Sequence, residues 1–483
     1  MLVNVLASIG YMCVISGRYK NDQIITRVHQ TCEDLLIYCT FNRSPKNCNE
    51  MFNLIKTYDG HCCTFNYAAL NEGNLDDITD DEDVEYYVDP SGIDLKTSGI
   101  VVTSESGRGS GLSVVFNVEP NDYPKWSLTP YHGAKILITD PTDYPEITVL
   151  YKYVIIGETL DIKVEPKIFQ SDDDIRRMPV EKRACMFHEE AALVHTYRYS
   201  TETCKTECKM RNYADHCGCI PYKYPNDKAS RVCDFEDLQC LNNLRAAKTG
   251  EEKTCDPVCY IECRDKKYSI TSDVMPLLAD FYPPNVTKGR NISELSSLRV
   301  YFAKSTCTCY DRMLLIDFNY FVATYGGVFS LSFGASIITL FELMYLLLSI
   351  VFKTLLRSLY KENKFNSVTN MLHHTVLAFK RFSKYCTLHG FYYYYSSSSW
   401  WVHIIWSIII GSSVTLCVYL SHMIWGKFVD NPTFTVVEST HYPIDRISFP
   451  AVTVCDTEII YGPNTSNITR ILRHKSELEK YWY

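Results

Sequence analysis

Two long apolar runs interrupt an otherwise mixed pattern of hydrophobic and polar positions. Phe318–Phe352 (FNYFVATYGGVFSLSFGASIITLFELMYLLLSIVF) carries one charge, Glu342, and Trp400–Trp425 (WWVHIIWSIIIGSSVTLCVYLSHMIW) is bounded by tryptophans. A helix needs about 20 predominantly apolar residues to cross a bilayer, so each run predicts one span. Shorter alternating stretches predict strands at Leu112–Val118, Tyr131–Ile138 and Ile147–Ile156. The glycines of Gly107–Gly111 (GRGSG) predict a turn ahead of the first strand.

The first run is unusual for an anchor. Gly326, Gly327 and Gly334 interleave with Ser330, Ser332 and Ser336, so one side of the helix is small and polar. Such a face suits close helix–helix packing or a pore lining. Glu342 stands where a charge is costly, which marks it as a functional candidate. Between the runs, Lys353, Arg357, Lys361, Lys364, Lys380, Arg381 and Lys384 face a single acid, Glu362. The positive-inside rule makes 353–399 cytoplasmic, and the topology reads outside, span, inside, span, outside. Tyr392–Ser399 (YYYYSSSS) reads as a mobile low-complexity segment, and His403 and His422 as interfacial residues of the second span.

The 483 residues carry a net charge of −8, which implies no basic face and no nucleic-acid partner. The 21 cysteines alter the picture more, since most precede residue 310. Glycosylation sequons at Asn42, Asn285 and Asn291 share that region, and Asn464 and Asn467 follow the second run. Together they imply an oxidising, extracellular compartment and a disulfide framework. Cys185, Cys204, Cys208, Cys217, Cys219, Cys233, Cys240, Cys255, Cys259, Cys263, Cys307 and Cys309 are spaced irregularly, unlike the paired short intervals of a zinc site. His188-Glu-Glu lacks the second histidine of a zincin, and Gly107–Gly111 lacks the Lys-Ser/Thr of a phosphate loop. Asp76–Glu85 lacks the ligand spacing of a calcium loop. No catalytic residue, metal or cofactor is expected, and the chain does not read as an enzyme.

The Gly-Gly pair, Gly334-Ala335-Ser336 and Glu342, at this spacing, resemble the second transmembrane segment of the degenerin/epithelial sodium channel family, with pickpocket-like insect subunits as the nearest branch. Cys62, Phe65 and Asn66, the Asp140-Pro141 turn, and Cys204-x3-Cys208 with Cys217-Gly-Cys219-Ile-Pro221 resemble that family's ectodomain. The resemblance implies two transmembrane helices with a disulfide-rich α+β extracellular domain of palm/thumb type and mostly β core. It implies a Gly334-Ala335-Ser336 selectivity filter, pore and gate positions at Ala323, Gly326, Gly327 and Glu342, and a cytoplasmic gating motif at His389-Gly390. It further implies Na⁺ as the permeant ion, amiloride sensitivity, gating other than by voltage, and a homo- or hetero-trimer in the plasma membrane. The family has Gly where Ser330 stands and a bulky aromatic where Ser332 stands, a departure that bears on conductance. The alternative is a non-conducting cell-surface glycoprotein.

The block order is swapped relative to the family. Phe449–Cys455 (FPAVTVC) resembles the start of the ectodomain, yet it follows the pore run. This predicts a partial Cys-rich extracellular domain over 1–317, the pore helix over 318–352, the cytoplasmic segment over 353–399, the first-type helix over 400–425, and the start of a second extracellular domain over 426–483. A merged gene model of two neighbours and a circular permutation both explain the order. Met1–Gly17 has no basic leader or clear cleavage site. A long N-terminal tail would then need export without a signal, which favours the merger.

Overall fold

A computed structural model describes residues 29–457, except 70–88, 90–98, 123–130, 147–148, 197, 226–229, 234, 248–254, 256, 279–280, 288–289, 316–317, 360–376, 378–379, 385–387, 389 and 431–432. The chain divides into two compact units, Met1–Arg312 with Thr435–Tyr483, and Met313–Phe434. The segment predicted to open a second extracellular domain therefore lies in the same unit as Met1–Arg312.

The first unit is built mainly from two sheets. Its strands are β1 (Leu36–Phe41), β2 (Ser44–Lys46), β3 (Phe52–Thr57), β4 (Gly60–Phe65), β5 (Leu112–Asn117), β6 (Gly133–Thr139), β7 (Leu150–Ile155), β8 (Glu158–Ser171), β9 (Cys185–Met186), β10 (Ile261–Glu262), β11 (Asp265–Pro276), β12 (Leu295–Phe302), β13 (Thr306–Leu314), β14 (Thr433–Pro443) and β15 (Ala451–Asp456). The eight-stranded sheet runs β14-β13-β8-β12-β5-β1-β2, with β11 on the other side of β8. The 14-residue β8 is its spine. Strand β11 pairs with it antiparallel along most of its length, while β12 and β13 share its opposite edge in parallel. The β1–β2 hairpin turns on Asn42 and Arg43, both at positive φ (48° and 65°), the backbone twist that a two-residue hairpin loop demands.

The second sheet is entirely antiparallel, in the order β3-β4-β15-β6-β7. Its central strand comes from the far end of the chain. Ala451, Val452, Thr453, Val454 and Cys455 are all buried, so both faces of β15 are covered, as a strand flanked on each side requires. The aromatic core lies nearby, where Phe449 meets Phe41, Phe65 and Phe302 at ring separations of 5.6, 6.0 and 5.4 Å.

Two longer helices belong to this unit, α1 (Thr201–Cys217) and α2 (Leu238–Ala247). Ser200 caps α1 by accepting from the Thr203 amide, and Gly218 ends it in the left-handed region at φ 65°. Disulfides Cys204–Cys259, Cys208–Cys255 and Cys217–Cys240 tie α1 to the chain that follows, and Cys219–Cys233 closes the segment just past its Gly218 cap. Cys185–Cys263 joins the parallel pair β9 and β10 to the same region.

The second unit is helical: α3 (Phe318–Phe333), α4 (Ile337–Leu359), α5 (Phe391–Ser396) and α6 (Trp400–Asp430). Helix α6 is long and apolar enough to cross a membrane, and only 6% of its most apolar window is buried in protein. A soluble core helix would be mostly buried; here Ile408 and Val418 are about two-thirds exposed. Helices α3 and α4 pass the same test only as a pair, bent by 80° at their junction. The run expected as one continuous span is therefore broken.

Candidate functional site

The break is local chemistry. Gly334 adopts φ 65°, which a side chain disfavours, and its amide donates to Ser330 O at 2.7 Å while Ala335 N reaches Phe329 O at 3.4 Å. This is a left-handed glycine cap that stops α3. Ser336 then starts α4: its hydroxyl accepts from the Thr339 amide at 3.4 Å and lies 3.3 Å from Thr339 Oγ1, and its amide donates to that oxygen at 3.2 Å. The helical ladder is thus interrupted over Gly334, Ala335 and Ser336, where the end of α3 and the start of α4 are closed by capping bonds. Carbonyl dipoles at such a break can coordinate a cation. Ser332 Oγ, close before the break, is buried without a hydrogen-bond partner.

Glu342 lies in α4 six residues beyond Ser336, about 9 Å further along the axis at roughly 1.5 Å per residue. Ala323, Gly326 and Gly327 lie on an exposed face of α3, and a Cβ added at either glycine meets nothing within 4 Å. The small-residue face is therefore unused by the described chain itself. Helix α3 packs on α6, where Tyr325 Oη donates to Ser421 O at 3.4 Å.

Gly390 immediately precedes α5 at φ 89°, and a Cβ there would meet the Trp406 ring of α6 at 3.1 Å. The glycine lets the chain pass against that indole, and Tyr393 stacks on it at 5.1 Å. Sequence composition makes Tyr392–Ser399 a mobile segment; the structure instead places Phe391–Ser396 in a helix, because tyrosines find the rings of Trp406 and His403 to pack on. His389, Asn464, Asn467 and the side chain of Asn285 lie outside the described residues.

Asn42 spends its side chain inside the fold, donating to Thr103 Oγ1 at 3.0 Å and accepting from the Gly111 amide at 2.9 Å. Asn291 is exposed and caps a short 3-10 turn. Cys185, Cys204, Cys208, Cys217, Cys219, Cys233, Cys255, Cys259 and Cys263 all sit in disulfides, with Cys240 as the partner of Cys217. Cys307 and Cys309 are free and buried, burial pushing their thiols up to about 11 and about 12, and Cys309 Sγ donates to Glu438 at 3.3 Å. The grouping of Cys219, Cys233 and Asp237 offers no thiolate for a metal, since both sulfurs are bonded to each other.

No sequence signal announces the buried charges of the first unit. Lys266 of β11 touches Asp89, Asp140 at 2.9 Å and Ser448 Oγ at 2.5 Å, all of them buried. Burial alone would raise Asp140, but Lys266, Arg198 and the Thr142 hydroxyl outweigh it and hold the carboxyl down at about 2. At the N-terminus of α1, Asp143 accepts from Ser200 Oγ at 2.5 Å and Glu262 from the Thr201 amide at 2.7 Å. Burial and the neighbouring Asp140 push Asp143 up to about 7, and burial with Asp265 and Asp143 lifts Glu262 well above the carboxylate range.

The sequence model of the family described as "Amiloride-sensitive sodium channel" matches residues 13–346 and 382–482. The chain is 24% identical to the "Sodium channel protein Nach" of Drosophila melanogaster over 348 residues, 70% of this chain and 61% of that protein. It is 26% identical to "Pickpocket protein 28" of Drosophila melanogaster over 357 residues, covering 67% and 57%. With the "Epithelial sodium channel subunit gamma" of Xenopus laevis it shares 21% over 360 residues, covering 71% and 48%. The chain thus spans between 48% and 61% of the length of these relatives.

Proposed function

The chain belongs to the amiloride-sensitive sodium channel family, and we propose that it is a subunit of a sodium-selective, amiloride-sensitive, non-voltage-gated channel that spans the plasma membrane twice. One observation carries the reading: an apolar run long enough to span is broken by a left-handed glycine, which in a membrane-crossing segment would leave backbone carbonyls at membrane depth. Irregular backbone is tolerated there only where it lines a protein-enclosed or watery cavity.

Three copies, or three related subunits, set around an axis would turn their Gly334–Ser336 segments inward and form such a cavity. The carbonyls ending α3 would then replace water around a partly dehydrated Na⁺. Ser336 holds the start of α4, which fixes where those carbonyls point. Glu342 deeper in α4 would raise the local cation concentration and repel anions. Ala323 and the Gly326-Gly327 pair would form the tighter gate region, and His389-Gly390 would brace the helices from the cytoplasmic side. Na⁺ is the permeant ion and no cofactor is invoked.

Expression of the chain with recording of amiloride-sensitive Na⁺ current tests this. Replacing Ser336 by Trp should abolish or reshape selectivity; an unchanged Na⁺ preference would remove the filter from this segment. Delivery to the surface with no current from any subunit mixture would favour a non-conducting glycoprotein, the reading to which Ser330 and Ser332 lend support.

The block order has two readings. One is a merger of two neighbouring genes. A genuine permutation is favoured by the placement of 435–457 in the same unit as Met1–Arg312. Long-read sequencing of the native transcript across the codons for 352–400 separates them: two messages mean a merger, one continuous message a permutation.

A further inference from the structure

Strand β13 carries Cys307 and Cys309 two residues apart, on the side of the strand that faces the core. Burial alternates along this stretch, and the two cysteines are 6% and 0% exposed. They are the described cysteines of the first unit that remain thiols, while the others there are bonded in disulfides. The neighbouring β14 is the outer strand of the eight-stranded sheet. From it Glu438 brings a carboxylate to Cys309, whose Sγ donates to Oε2 at 3.3 Å. A free cysteine in a core often serves as a small hydrophobe, but a small hydrophobe needs no carboxylate against its sulfur. Glu438 itself is exposed, so the cluster opens to solvent along the β14 edge.

Strand geometry keeps the two thiols from pairing with each other. A rise of about 3.2–3.4 Å per residue sets the Cα atoms of residues i and i+2 about 6.4–6.8 Å apart with their Cα–Cβ bonds side by side. That is the outer limit of separation for a disulfide and the wrong orientation for one. The same spacing suits two sulfurs that converge on one ion, each at about 2.3 Å.

We infer that Cys307, Cys309 and Glu438 form a binding site for a thiophilic divalent cation of the Zn²⁺ type, which staples β13 to β14. The three ligand atoms are not gathered within 4.8 Å of one another beforehand, so the Cys307 side chain rotates toward Glu438 as the ion enters. Each thiol gives its proton to water, and one ion therefore releases two protons. Burial holds both thiols up, at about 11 and about 12, so the cation has to displace those protons to bind. Two thiolates and a carboxylate leave the fourth tetrahedral position to water. The sulfurs discriminate against hard cations such as Ca²⁺, which take oxygen ligands. In the chain, β13 leads into α3 and β14 follows α6. The ion therefore joins the two segments through which the sheet connects to the apolar helices. The inference rests on the geometry of this sheet and not on conduction.

The test titrates the detergent-purified full chain, prepared without reductant, with Cd²⁺ as a spectroscopic probe and Zn²⁺ as its competitor. The expected result is one ion per chain, a thiolate-to-metal charge-transfer band, two protons released, and displacement by Zn²⁺ but not by a large excess of Ca²⁺. Cys307→Ser and Cys309→Ser should each abolish the band, and Glu438→Gln should keep it while weakening affinity by about 10–100-fold. A chain with Cys13→Ser, Cys386→Ser and Cys417→Ser together should bind as the wild type does, which assigns the band to this pair. X-ray absorption of the Zn²⁺-loaded wild-type chain guards against variants that misfold, and two sulfur neighbours at about 2.3 Å are expected. A shell of nitrogen and oxygen alone, or a band that survives both cysteine substitutions, overturns the site and leaves an adventitious ion only. Recovery of Cys307 or Cys309 in a disulfide on peptide mapping of the unreduced chain overturns it as well. Current plays no part in these readouts, so a chain that fails to conduct leaves them interpretable.

Discussion

Replacing Lys266 by Met keeps the aliphatic stem and removes the ammonium that touches Asp89, Asp140 and Ser448. Lys266 is 5% exposed and its carboxylate partners 2% and 9%, so water cannot replace it. Breaking a buried ion pair from one side costs about 3–5 kcal/mol, because a charge is stranded without its partner. That is a large part of the about 5–15 kcal/mol that stabilises a typical domain. For a unit of this size it should lower the melting temperature by ~10 °C. The pH response gives a sharper signature. In the wild type, Asp140 has a lowered pKa of about 2, so its stabilisation is present above pH 4 and disappears as pH falls from 4 toward 2. Without Lys266, burial dominates and the carboxyl rises above its ordinary range. A raised acid is stabilising when protonated, so the penalty of Lys266→Met should shrink as pH falls from 8 to 5. Thermal unfolding of the detergent-purified chain across that range measures both effects. Adding Asp89→Asn and Asp140→Asn should return most of the loss, since an uncharged site of equal volume is often neutral. A melting temperature within about 3 °C of wild type, or a penalty indifferent to pH, would refute the assignment of this trio as a structural lock.

Gly334→Ala forces a side chain into φ 65° at a cost of about 1–2 kcal/mol; surface biotinylation should stay normal while Na⁺ current falls, and normal current would detach the break from conduction. Gly326→Ala and Gly327→Ala meet open space in one chain, so monomer yield should hold; loss of the trimer on native gels would show that this face is used between copies. Asn291→Gln should remove one glycan in a mobility assay. Asn42→Gln should remove none and lower the melting temperature, because Asn42 Oδ1 holds the Gly111 amide. Asp143, raised to about 7, contributes stability that is complete below pH 4 and lost as pH rises through 7; wild-type melting should fall between pH 5 and 8, and Asp143→Asn should flatten that slope.

Local periodicity made much of this molecule legible. Strands expected at Leu112–Val118, Tyr131–Ile138 and Ile147–Ile156 appear as Leu112–Asn117, Gly133–Thr139 and Leu150–Ile155, short apolar and β-branched runs bounded by turn residues. The apolar runs are written in composition alone, whereas the 80° bend at Gly334 is seen in the backbone. What depends on distant partners was not legible. The cysteines announced a framework, but which sulfurs meet depends on which strands abut. Cys307 and Cys309, in the same dense run, have no partner sulfur within the described residues. Lys266, Asp89 and Asp140 carry no mark of their association, since they lie far apart in sequence and nothing local to any one of them points to the others. Phe449–Cys455 reads from sequence as the start of something new. Only the tertiary structure shows it as the middle of a sheet begun near the opposite end of the chain. The physical reason is the same throughout: period and composition act over a few residues, whereas strand order, disulfide pairing and buried charge are fixed by contacts that exist only after the chain has closed.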